Sequence, residues 1–118
     1  MNYSEYLLEE ALTFGPSRIA VRYLDQTMSF GELADRAARF GGLLVGLGAK
    51  KGDRVVLLMD NNPRHYVALL GATRVGVICA VINSEYGIPE IGHMIRHVEP
   101  VCIVTDAAGM EKYNAAVP

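Results

Sequence analysis

His93 and His97 stand four residues apart, with Glu90 three residues before the first of them. On a helix this spacing puts two imidazoles on one face, a pattern able to bind zinc. No third ligand outside the same helix is evident. Ile88, Ile91, Ile95 and Val98 mark the apolar stripe of that helix, and the histidines fall away from it. The reading adopted is a solvated polar face with no metal. His65, just after Pro63, is read as a surface residue too. Cys79 and Cys102 lie in apolar segments and are read as reduced, buried thiols acting as small core residues. Asp60-Asn61-Asn62 and Asn83-Ser84-Glu85-Tyr86 follow two apolar runs. If those runs are parallel strands, both groups lie at carboxyl ends, where open α/β sheets bind ligands. The same residue types cap helices and fill turns, and that reading has the greater weight. If the chain lines any site, these two loops form it.

Gly46, Gly48 and Gly52 invite comparison with a dinucleotide-binding loop. A phosphate cradle follows a strand and opens a helix, so that free N–H groups meet the anion. These glycines close a helix and lead into a strand, where the free groups are carbonyls. They read as a helix cap and a turn. The sequence contains neither a Gly-x-x-x-x-Gly-Lys-Ser/Thr loop nor a Gly-x-Ser-x-Gly elbow.

The elements that must position these residues follow from periodicity. Asn2 to Leu12 reads as a helix ended by Gly15-Pro16. Ile19 to Leu24, a turn at Asp25-Gln26 and a return strand from Thr27 make a small hairpin. Ser29 and Glu32 have capping-box spacing, flanked by Met28 and Leu33 as a staple. Phe30, Leu33, Ala34, Ala37, Phe40, Leu44 and Leu47 then form one helical stripe, closed by Gly48. Arg54 to Met59 is an unbroken apolar run of the kind found in strands covered on both faces. Asn62-Pro63 opens a helix reaching about Val75. Val77 to Ile82 and Val101 to Val104 read as second and third buried strands around the Ile88–Val98 helix. Asp106 can cap a last helix. Strands alternating with helices imply a parallel sheet with right-handed crossovers, hence an α/β layered fold.

The chain has 118 residues, about half apolar, with a formal net charge of -2. That is one domain with one core, and its interspersed charges argue against a nucleic-acid surface. No run approaches the roughly 20 apolar residues of a membrane span. The first residues have neither a basic leader nor an apolar signal core, which places the protein in the cytoplasm.

In order along the chain, Met28-Ser29-Phe30-Gly31-Glu32-Leu33 resembles the first signature of adenylate-forming enzymes. Gly48-Ala49-Lys50-Lys51-Gly52-Asp53-Arg54-Val55 is similar to their Gly-Val-x-x-Gly-Asp-Arg-Val turn. Asn61-Asn62-Pro63 is similar to their Asn-Ser-Pro helix start. Gly71 to Gly76 and Val81-Ile82-Asn83 resemble a second signature, whose strand ends Pro-Leu-Asn; Ile88-Pro89-Glu90-Ile91 and Val101 to Asp106 continue in register. Val81 replaces a usual Pro, and Ser84 stands where Pro often follows the Asn. Asn83 itself is more like acyl-CoA synthetases than peptide-synthetase adenylation domains, and the Asn83–Gly87 stretch resembles bacterial carnitine-type and fatty-acid-type ligases.

The resemblance implies that residues 1–118 are a partial N-terminal subdomain of the large AMP-binding domain, a Rossmann-like layer plus hairpin. It implies a parent that activates a carboxylic or fatty acid with Mg-ATP to an acyl-adenylate and passes the acyl group to CoA. The family's Ser/Thr/Gly-rich phosphate loop, aromatic-Thr-Glu segment, ribose-binding Asp and C-terminal-domain Lys have no counterpart here. No residue is therefore assigned as catalytic, cofactor-binding or metal-binding, and the substrate-binding residues stay unknown. ATP, Mg and CoA are implied for the full-length enzyme only. The implied partner is the remainder of the ligase, with self-association through an uncovered sheet edge or apolar face. A free-standing Rossmann-like binding module is the alternative.

Overall fold

Val55, Val56, Leu57 and Leu58 have no exposed surface at all, and the rest of the molecule is arranged around them. The computed structural model describes residues 2–118; Met1, the first position of the expected domain, lies outside them. The elements are α1 (Tyr3–Phe14), β1 (Ile19–Tyr23), β2 (Gln26–Ser29), α2 (Phe30–Gly46), β3 (Arg54–Leu58), α3 (Pro63–Arg74), β4 (Ile78–Ile82), α4 (Ile88–Val98), β5 (Cys102–Thr105) and α5 (Ala107–Ala116). β1 and β2 form an antiparallel hairpin, and β4-β3-β5 form a parallel sheet with β3 in the middle. The α/β layered fold with its N-terminal hairpin is thus the observed one.

Successive side chains of β3 point to opposite faces, as the pleat requires. Val55 packs with Leu44 of α2 and Ala72 of α3, and Leu57 with Ala68 of α3. Val56 and Leu58 pack with Ile91 and Ile95 of α4 and Ala116 of α5. Helices therefore cover both faces. The step from β3 to β4 carries α3 on one face; the return past β3 to β5 carries α4 on the other. Opposite directions on opposite faces give both crossovers one hand, as the right-handed rule demands.

α2 begins with the full capping box: the Glu32 amide donates to Ser29 Oγ at 3.1 Å, and the Glu32 carboxylate accepts from the Ser29 amide. Gly48, at φ +99°, closes it in the left-handed conformation. α2 and α3 cross where Gly41 meets Gly71. A Cβ on Gly71 would lie 2.5 Å from the Ala37 carbonyl oxygen, so only glycine lets these backbones touch. Asn2 ties α1 to this layer. Its Oδ1 accepts from the Glu5 amide at 3.0 Å, while its Nδ2 donates to the Arg74 carbonyl at 2.7 Å.

Several expected details change. α1 runs to Phe14, two residues beyond the expected end. The hairpin turn is Leu24-Asp25, because Tyr23 pairs with Gln26; Leu24 is 90% exposed at φ +55° rather than part of a strand. Leu47 lies just past the end of α2 and is exposed, so the stripe stops at Leu44. β4 and β5 are not buried strands like β3. Each has one unpaired edge; Ile78 and Val81 of β4 are about half exposed, and β5 is half-buried throughout. The thiols are accordingly half-buried rather than buried.

Candidate functional site

The two loops singled out in the sequence do meet at the carboxyl end of the sheet. β3 runs into Met59-Asp60-Asn61-Asn62 and β4 into Asn83-Ser84-Glu85-Tyr86 because their register is parallel, with Leu58 beside Ile82. The Ser84 hydroxyl donates to the Asp60 carboxylate at 2.5 Å, joining the loops. The Lys112 ammonium of α5 donates to the Ser84 carbonyl. Ser84 is buried. A proline at this position would have no hydroxyl to reach Asp60, although its carbonyl could still accept from Lys112.

The remaining polar groups of the loops serve local structure. Asn62 accepts from the Arg64 amide at 2.9 Å and caps α3; its Nδ2 donates to the Asp60 carbonyl at 3.1 Å. Asn83 accepts from the Glu85 amide at 2.8 Å. Asp106 accepts from the Gly109 amide at 2.8 Å and caps α5. The Thr105 hydroxyl donates to the Leu58 carbonyl at 2.6 Å, tying β5 to β3. These are the capping and turn roles that the residue types favour.

Between the loops lies an open cleft of about 480 Å³, lined by Asp60, Asn61, His65, Asn83, Glu85 and Tyr86 among others. Its charged residues are the two carboxylates. His65 corrects the sequence reading: it is buried, 9% exposed, and its Nδ1 has no hydrogen-bond partner. It is drawn inward because it continues the Ala68 and Ala72 stripe of α3 at steps of three and four. That stripe was readable, but a histidine followed by alanines gives little apolar signal. A second cleft, about 690 Å³, opens on the β5 side. Met28, Phe40, Met59 and Val104 form apolar lining, with Arg36 and Arg64 beside them.

The other sequence candidates lie elsewhere. His93 and His97 are exposed on α4, their rings 6.4 Å apart and within 18° of parallel. Among the described residues no group of three or more His, Cys, Asp or Glu could hold a metal. Cys79 and Cys102 flank Val55 in one row across the sheet. Two strand spacings of about 4.8 Å separate them, beyond disulfide reach. Burial, and secondarily the charge of Cys102, pushes the Cys79 thiol up to about 11; burial also raises Cys102. Gly46, Gly48 and Gly52 close α2 and lead into β3, and make no phosphate cradle.

Residues 8–117 match the model of the AMP-binding enzyme family. The chain is 35% identical over 85 residues to acyl-CoA synthetase short-chain family member 3, mitochondrial, of Rattus norvegicus, covering 72% of this chain and 12% of that protein. It is 35% identical over 99 residues to the long-chain-fatty-acid–CoA ligase of Salmonella typhimurium, covering 83% of this chain and 18% of that protein. Among solved structures, a benzoate CoA ligase from Burkholderia xenovorans LB400 superposes with a TM-score of 0.93 at 26% identity, over 99% of this chain and 24% of that one. The chain thus spans less than a quarter of the length of these relatives. With its motif order, its parallel sheet and its hairpin all in agreement, the chain belongs to the AMP-binding enzyme family and has the fold of the N-terminal part of adenylate-forming CoA ligases.

Proposed function

We propose that this chain is the N-terminal scaffold portion of an acyl-CoA synthetase and does not itself carry the ATP chemistry. The parent reaction, inferred from the family, joins a carboxylic acid to AMP at the expense of ATP and then transfers the acyl group to CoA. Both steps develop phosphate charge that cations and backbone donors must hold.

The carrying observation is how the polar groups at the carboxyl end of the sheet are already committed. The N-termini of α3 and α5 are closed by the side chains of Asn62 and Asp106. α4 has no side-chain cap, but the Glu90 carboxylate lies against Gly87 at that end. The cleft between the loops is lined by Asp60 and Glu85 and by no Lys or Arg. Lys112 is spent on the Ser84 carbonyl and Arg36 is turned toward Glu32 at 3.7 Å, which leaves the exposed Arg64 as the one uncommitted cation lining either cleft among the described residues. One exposed arginine beside two capped helix ends does not make a cradle for a triphosphate.

The surface supports a scaffold role. The accessible area is 7317 Å², against about 6300 Å² for a monomer of this mass. The radius of gyration is 14.8 Å, against about 13.5 Å for this length. Both excesses reflect a slab whose outer strands lack neighbours. Further ligase sequence is the partner that suits those edges; without it, the chain is expected to self-associate. No helix among the described residues is long and apolar enough to cross a membrane.

The test of the chemical half is pyrophosphate release. The purified chain, given Mg-ATP and short-chain, long-chain or aromatic carboxylic acids, is expected to release none above a blank. Turnover that scales with chain concentration would overturn the proposal.

A further inference from the structure

We infer that His93 and His97 form a two-nitrogen chelate for a borderline divalent transition ion, Cu²⁺, Ni²⁺ or Zn²⁺, on the outer face of α4. The site is separate from the loops at the carboxyl end of the sheet and from any acyl-transfer chemistry.

The orientation of α4 fixes the pair. Ile91 and Ile95 are buried against Val56 and Leu58, so α4 cannot roll without giving up its core contacts. That leaves His93 and His97 on the opposite, exposed side. Residues four apart on a helix have Cβ atoms about 6 Å apart, one above the other. The rings follow that geometry, with centroids 6.4 Å apart and an interplanar angle of 18°. Small side-chain rotations bring a nitrogen of each ring to the roughly 2.0–2.1 Å that a metal–imidazole bond needs.

Competing partners are absent from the pair. The ion pairs of the described residues are Glu32–Arg36 and Asp35–Arg39, so no carboxylate holds either ring. Glu90 folds back against Gly87, and the Arg96 guanidinium lies over Gly92, the other face of the helix. His93 and His97 also line an open groove of about 350 Å³ with Ala80, Val81, Ile82, Met94 and Val98, so an ion can reach the rings from that side. Two protein nitrogens leave the ion's other positions to water. Imidazole pairs suit Cu²⁺, Ni²⁺ and Zn²⁺ rather than Mg²⁺ or Ca²⁺, and Cu²⁺ should bind tightest.

The experiment titrates CuCl₂, NiCl₂ and ZnCl₂ into the chain without an affinity tag, by calorimetry. His93→Asn, His97→Asn and His65→Asn variants run beside it, and Ni²⁺ line broadening is read by NMR. One equivalent is expected, in the order Cu²⁺ above Ni²⁺ and Zn²⁺, with broadening centred on His93, Met94 and His97. Each of His93→Asn and His97→Asn should weaken binding by at least about tenfold, the lower bound seen even for loss of an outer-sphere partner. His65→Asn should change nothing. MgCl₂ should give no heat. No binding, binding unchanged in either α4 variant, or broadening centred on Cys79 and Cys102 would each overturn the inference. Circular dichroism of the variants separates lost binding from lost fold.

Discussion

β3 and its two neighbours, β4 and β5, are close to indistinguishable as sequences and very different as structure. Val55-Val56-Leu57-Leu58, Ile78-Cys79-Ala80-Val81-Ile82 and Cys102-Ile103-Val104 are all apolar runs. β3 is sealed on both faces and paired on both edges. β4 leaves Ile78 55% and Val81 52% exposed, and β5 has no residue that is fully buried. An apolar run states that a strand will be covered once its sheet is complete. It does not state that the covering lies within the same stretch of chain.

The largest effect that would sharpen this contrast is a pair of truncations. Leu57→Ala should cost about 3–5 kcal/mol, since it opens a cavity under helices on a sealed strand. Val81→Ala, on the open strand, should cost no more than about 0.5 kcal/mol. Urea unfolding of both variants measures the difference; similar costs would break the contrast.

Next comes the helix layer over β3. Gly71→Ala should destabilise by about 1–3 kcal/mol, because the new methyl runs into the Ala37 carbonyl and backbone must move. Gly42→Ala, on the same α2 helix with nothing within 4 Å, should stabilise by about 0.5–1 kcal/mol. Thermal melts of the two variants read opposite signs.

A smaller effect comes from the half-covered row holding Cys79. Its thiol is raised from 9.0 to about 11 in the folded chain. The folded state therefore holds the proton that the unfolded state releases first. Its stabilising contribution is complete below pH 9 and is lost as pH rises toward about 11. Iodoacetamide at pH 8 should modify Cys79 more slowly in the folded chain than in urea, as mass spectrometry of the peptide containing it will record.

Much of this was legible before any coordinates. Capping residues, glycine closures and the alternation of strands and helices depend on near neighbours, so Ser29, Glu32, Asn62 and Asp106 fall where their types predicted. What escaped depends on distant chain. The Gly41–Gly71 crossing needs two helices brought together. His65 is buried by the sheet end it happens to meet. The Asp60–Ser84 bond joins loops that only the parallel register makes adjacent. The two loops were expected at the carboxyl end of the sheet and do meet there, while His65, the one unpartnered buried side chain among the described residues, was expected at the surface.

β4 and β5 each leave open one strand edge that no other strand of the described residues covers. Light scattering across a concentration series tests it most directly, with Val81→Lys as a variant that charges the β4 edge. The mass is expected to climb from 12.8 kDa toward at least the dimer in the unaltered chain and to stay monomeric in Val81→Lys. A constant 12.8 kDa for the unaltered chain at high concentration would contradict it.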